Sequence, residues 1–191
     1  MISLRDPVER LFSHYLMQIR NGRIKTTFSE QIGLVFNKKT DEKLDNIKRN
    51  KSLYSENVKR YLDIFGNKQV KIIIFEEFIK NTKETINDIL KFLDIKYEIQ
   101  DLGNKVYNKY GVNRGFIAQQ ILNSTKIRKA AEKFFTPSNR RFLREKLIVK
   151  YQPKPEMESK DREFLREFYY DDVQKLQKIL GRELPWSNFK N

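Results

Sequence analysis

The sequence predicts an α/β fold, rich in helix and built on a short parallel sheet, and three observations carry that prediction. A strand-like start, Met1-Ile2-Ser3-Leu4, runs into the helix start Asp6-Pro7. A β-branched run, Val70-Lys71-Ile72-Ile73-Ile74-Phe75, is followed by a second helical pattern. Elsewhere the apolar residues keep the helical period of 3.6. Strand, helix, strand, helix in alternation is the α/β arrangement. At 191 residues one domain spanning 1–191 is expected, and 39% hydrophobic residues with fourteen Phe and nine Tyr supply its core.

Met1 to Leu4 reads as the last residues of a buried strand. Asp6 offers a side-chain acceptor at the N-cap, and Pro7 brings a preset φ and no N–H to the first helical position. Val8, Leu11, Phe12, Tyr15, Leu16 and Ile19 then repeat at the spacing of one apolar stripe. Arg5 therefore sits at the carboxyl end of a strand, and Ser13 projects from the following helix off that stripe. In open α/β sheets this crevice is where phosphates bind. Arg5 brings a planar fork of donors and Ser13 a hydroxyl. The competing reading pairs Arg5 with Asp6 or Glu9 and turns Ser13 to solvent.

Asn21-Gly22 marks a turn, and Arg23 to Lys51 is lysine-rich and weakly patterned, the mark of a mobile loop with a short helix near Ser29 to Phe36. Loops of this length in compact enzymes are often binding loops. A helix from Leu53 to Phe65 presents Tyr54, Val58, Tyr61, Leu62 and Phe65 on one side, and Gly66 ends it. Val70 to Phe75 suits a central parallel strand. Glu76 and Glu77, adjacent at its end, point opposite ways, which favours structural or capping roles over paired acid/base work. Asn81 with Glu84 reads as a capping box, and Ile86, Ile89, Leu90 and Leu93 stripe the helix it opens. Gly115 to Lys150 is expected to be helical with basic faces, and Pro153 and Pro155 form a rigid connector. Ser159 to Leu180 is a long amphipathic helix closed by Gly181.

The chain carries 39 Lys+Arg against 25 Asp+Glu, a net charge of +14, which favours polyanionic ligands. Lys, Ile and Asn are all abundant, and a chain of that composition can be basic merely through compositional bias, so charge alone chooses no partner. Without cysteine there is no disulfide framework or thiolate metal site, and one histidine argues against zinc. No apolar run approaches the roughly 20 residues of a membrane span. Arg5 and Asp6 interrupt the start before any signal-peptide apolar region, so a cytoplasmic location is expected if Met1 is the native start.

The segment Arg5-Asp6-Pro7-Val8-Glu9-Arg10-Leu11-Phe12-Ser13-His14-Tyr15 resembles the 3′-phosphate-binding motif R-[D/N]-P-x-x-R-x-x-S-x-Y of sulfotransferases that use 3′-phosphoadenosine 5′-phosphosulfate (PAPS). Arg5, Pro7, Arg10, Ser13 and Tyr15 match it. Tyr54 to Leu93 is similar to the family's next block, and Leu165 through Trp186 to the closing helix and tryptophan of bacterial and glycan-type members. The resemblance implies a P-loop-NTPase-like sulfotransferase fold with Arg5 and Ser13 as the cofactor-binding residues for the 3′-phosphate. Arg114 is a second-rank candidate, since Asn113 stands where the family has proline. Lys150 and Lys154 flank a segment resembling a basic loop that closes over the nucleotide, and His14 occupies a variable helix position.

No loop of the G-x-x-K-[S/T] type stands between an opening strand and its helix, the string Gly22-Arg23-Ile24-Lys25-Thr26 lying instead behind the first helix. The expectation is therefore an N-terminally truncated fold, with the catalytic lysine and general base upstream of Met1 and a partial or inactive enzyme in this chain. The implied co-substrate is PAPS or adenosine 3′,5′-bisphosphate, without a metal, and the implied acceptor is a glycan or hydroxylated metabolite. A basic nucleic-acid-binding module, which lacks any helix-turn-helix, RRM or OB pattern, and a non-catalytic remnant are the alternatives.

Overall fold

The computed structural model describes residues 1–36, 47, 49–97, 111–113, 124–143, 146 and 149–190. The chain divides into two compact units: Met1–Leu11 with Lys48–Lys105 and Ser159–Asn191, and Phe12–Ile47 with Val106–Glu158. Residues 37–46 and 48 of the predicted loop lie outside the described residues, as does Arg114.

The first unit is organised by two parallel strands, β1 (Ile2–Leu4) and β2 (Ile72–Ile74), paired Ile2 to Ile72, Ser3 to Ile73 and Leu4 to Ile74. Helix α1 (Pro7–Arg20) opens where the sequence places it, with Asp6 accepting from the amides of Val8 at 3.0 Å and Glu9 at 3.2 Å. Helix α3 (Ser55–Phe65) ends at Gly66, whose φ of 71° only glycine adopts without strain. Ile74 closes β2 and Phe75 opens a short helix, α4 (Phe75–Lys80), so the predicted strand is shorter by Val70, Lys71 and Phe75. Helix α5 (Thr82–Phe92) follows, and the expected Asn81 capping box does not form: Asn81 makes no side-chain cap bond.

The chain's last long helix, Ser159–Leu180, has the limits the sequence predicts, with Gly181 at φ 64° behind it. Its stripe of Leu165, Tyr169, Val173 and Leu176 is fully buried, joined in the core by Val58, Ile74 and Trp186. Of the predicted apolar faces, that of α3 is buried only in part and that of α5 not at all. Tyr61 and Phe65 on α3 remain 50% and 48% exposed, and α5 has no buried residue despite its stripe.

In the second unit, Phe12, Tyr15 and Phe28 form an aromatic cluster with centroids 4.9–6.1 Å apart. Helix α2 (Phe28–Phe36) confirms the short helix expected near Ser29 to Phe36, and it opens with a capping box the sequence reading missed. The Thr27 amide donates to Glu30 Oε2 at 2.7 Å, and the Glu30 amide to Thr27 Oγ1 at 3.2 Å. Strands β3 (Gly111–Asn113) and β4 (Val149–Tyr151) pair antiparallel, so the predicted all-helical 115–150 segment ends in a strand. Before it lie two helices, Thr125–Phe134 and Pro137–Leu143.

Candidate functional site

The turn that leaves β1 is held from every side within its unit. Asp6 is buried, and its second carboxylate oxygen accepts from Asn188 Nδ2 at 2.8 Å. Its own amide donates to Glu76 Oε1 at 3.1 Å, while Glu76 Oε2 accepts from the Trp186 indole at 2.9 Å. Asn188 Oδ1 in turn accepts from Arg162 at 2.9 Å, and the same Arg162 nitrogen reaches Glu9 at 2.8 Å. Burial pushes the Asp6 carboxyl above its ordinary range, opposed by hydrogen bonds from Asn188 and the amides of Glu9 and Val8.

The carboxylates that the sequence offers to Arg5 have other partners. Asp6 is occupied by two amides and Asn188, and Glu9 by Arg162. The Arg5 guanidinium instead lies over the ring of Phe75, 4.9 Å from its centroid. Its carbonyl accepts from the Tyr54 hydroxyl at 3.0 Å. Tyr54 is buried, which pushes its phenol up to about 12 against the opposing charge of Arg10. Arg10 Nε donates to the buried Ser52 hydroxyl at 2.5 Å. The motif's second arginine is thus a structural tie.

Ser13 lies on α1, half-buried and off the buried stripe of Val8, Leu11, Phe12 and Tyr15, as predicted. Tyr15 donates its hydroxyl to the Thr26 carbonyl at 2.9 Å, and His14 meets Gln18 at 3.1 Å, one turn along the helix. The Lys154 ammonium lies 5.2 Å from the centroid of Phe12, and Lys150 is on β4. Glu77 forms a two-bond pair with Arg182 at 2.6 and 3.0 Å. Glu76 and Glu77 thus hold the structural roles that their adjacent places favour.

Sequence reasoning missed Tyr54, Phe75, Asn188 and Arg162 as parts of this turn. No local signal marks them, because their partners lie up to 182 residues away along the chain. The outcome is a rigid strand-to-helix turn that presents one aromatic-backed guanidinium, a group suited to an oxyanion. Among the described residues no cluster of His, Cys, Asp and Glu is arranged to hold a metal ion.

A family model described as the sulfotransferase domain matches residues 1–179. Among solved structures, the sulfotransferase from Alicyclobacillus acidocaldarius is similar at 25% identity and a TM-score of 0.58, over 96% of this chain and 54% of that one. The chain therefore spans about half the length of that relative. No curated protein matches it.

Proposed function

The chain belongs to the sulfotransferase domain family, and from that premise we propose that it serves the transfer of a sulfuryl group from PAPS to a hydroxyl or amine of an acceptor. The observation that carries this reading is Arg5: it stands at the carboxyl end of a parallel strand, with its backbone anchored and its guanidinium not taken by the neighbouring carboxylates. Arg5 grips the 3′-phosphate by charge-assisted hydrogen bonds, and the Ser13 hydroxyl adds a further donor. Both residues fix the register of the nucleotide and take no part in the transfer itself. In that transfer the acceptor attacks sulfur in line and adenosine 3′,5′-bisphosphate leaves. Catalysis rests on positioning and on cations at the leaving oxygen.

This chain covers 54% of the Alicyclobacillus acidocaldarius sulfotransferase, and the reading takes it as a partial or inactive form of such an enzyme. The acceptor, a glycan or hydroxylated metabolite, belongs to the same proposal by family analogy. Among the described residues no helix is long and apolar enough to cross a membrane.

Calorimetry with adenosine 3′,5′-bisphosphate tests the site. Losing the bonds of a charged donor weakens binding on the order of 10- to 100-fold in Arg5→Ala, with partial recovery in Arg5→Lys. Ser13→Ala gives a smaller loss. Binding that is indifferent to Arg5 would overturn the assignment. The net charge of +14 favours nucleic acid as a second reading, and salt-sensitive RNA or DNA binding that persists in the Arg5→Ala/Ser13→Ala variant would support it.

A further inference from the structure

In the second unit, the helix Thr125–Phe134 carries an apolar stripe that the fold leaves in solvent. Ile127, Ala130, Ala131 and Phe134 recur at the i, i+3, i+4, i+7 spacing of one helix face. Ile127 and Ala130 are exposed, and Phe134 is 75% exposed. Two more exposed rings follow at once: Phe135, and Phe142 of the helix Pro137–Leu143 at 60%. Both helices are properly started by their own residues. Ser124 Oγ accepts from the Ile127 amide at 3.3 Å, and Thr136 Oγ1 from the Asn139 amide at 3.3 Å. Apolar side chains scattered singly over a surface need no partner, but a stripe of them marks a face that something covers.

The charge beside the stripe says what kind of cover fits. Lys126, Lys129 and Lys133, all exposed, recur at i, i+3 and i+7 along its flank. The Lys133 ammonium stands 6.0 Å from the centroid of Phe134. Residues 124–146 hold eight Lys and Arg against two Glu, and one of those acids, Glu132, is met by Arg140 at 3.6 Å. Apolar side chains on one face and lysines on the next make a helix that lies in the plane of a membrane interface. A nucleic acid would take the lysines and leave Ile127 and Ala130 in water. A second copy of this chain would set one positive segment against another. An anionic bilayer satisfies both faces, since lysine stems reach along apolar surface to the headgroup phosphates. At ten residues the helix is too short to span that bilayer, so it lies along it.

We propose that the helix Thr125–Phe134, with the rings that follow it, docks this chain on an anionic lipid surface. Ile127 and Phe134 enter the boundary between headgroups and acyl chains, and Lys126, Lys129 and Lys133 bind the headgroup phosphates. The assignment is independent of Arg5 and goes beyond the transfer reaction.

The test is co-sedimentation of the full 191-residue chain with phosphatidylcholine vesicles containing about one-third phosphatidylglycerol, against phosphatidylcholine alone. Binding to the mixed vesicles is expected to be tighter by on the order of a hundred-fold. Lys126→Gln/Lys129→Gln/Lys133→Gln should weaken it by roughly the same factor, and Phe134→Ser/Phe142→Ser by about ten-fold or more. Both variants alter exposed side chains, so an unchanged melting temperature separates lost binding from lost fold. The phenylalanine variant is decisive, because a charge of +14 attracts any anionic vesicle. Unchanged binding in Phe134→Ser/Phe142→Ser would overturn the proposal, as would no binding to the mixed vesicles. So would complete release from the vesicles by an equal phosphate concentration of single-stranded RNA, which would give the surface to a nucleic acid. A dimer in sedimentation that Phe134→Ser/Phe142→Ser dissolves would likewise overturn it, giving the stripe to a second copy.

Discussion

Tyr54 ties the candidate site to the core by one atom. Its hydroxyl holds the Arg5 carbonyl at 3.0 Å, its amide donates to Asp172 at 2.7 Å, and its ring lies 6.0 Å from Trp186. Burial raises its phenol from 10.0 to about 12. A raised acid keeps its proton in the native state after the unfolded chain has lost it. The stabilisation from Tyr54 is therefore complete below pH 10 and is lost as pH rises through about 12. Tyr54→Phe is expected to cost about 1–2 kcal/mol at neutral pH through the unpaired Arg5 carbonyl. It also removes the share of the alkaline slope that Tyr54 contributes. Urea unfolding of both proteins at pH 8, 10 and 11 measures both effects, and equal slopes would contradict the assignment. Arg5 and Ser13 were legible as candidates because the motif is local. Tyr54 was not, because it acts on a carbonyl 49 residues away.

At the scale of elements, the start of α3 is held by another helix. Its N-cap residue, Tyr54, makes no side-chain cap bond. Asp172, on the helix Ser159–Leu180, instead accepts from the amides of Tyr54 and Ser55 at 2.7 and 3.2 Å and from the Ser55 hydroxyl at 2.5 Å. A carboxylate at a helix N-terminus satisfies orphan amides and complements the helix dipole. Asp172→Ala is expected to lower stability by about 2–4 kcal/mol, as loss of a cap compounded by buried unpaired donors. Asp172→Asn should lose less, and denaturant midpoints rank the three. This cap explains what the sequence hid. Helices closed by their own residues were read to the residue, as with Asp6-Pro7, Gly66 and Gly181. Elements ended by distant partners were not. Phe75 leaves the strand pattern where Glu76 and Glu77 meet the distant Trp186 and Arg182. The apolar stripes of α3 and α5 gave helices correctly, yet periodicity does not say whether a face is covered.

At the scale of the whole molecule, the charge of +14 acts on any anionic ligand before Arg5 does. The two contributions separate by their response to salt. Exposed charges more than about 8–10 Å from a ligand are screened at 0.1–0.15 M ionic strength, while a direct guanidinium–phosphate contact is screened far less. Raising salt from about 20 to 300 mM should therefore slow association with adenosine 3′,5′-bisphosphate several-fold through lost steering. Dissociation should change little. Arg5→Ala should do the reverse, speeding dissociation by roughly the factor it takes from affinity while keeping most of the salt dependence of association. Stopped-flow measurement of both rate constants at two salt concentrations checks this. If Arg5→Ala instead removes the salt dependence and leaves dissociation unchanged, Arg5 contributes only to the general basic field, and the phosphate is held elsewhere.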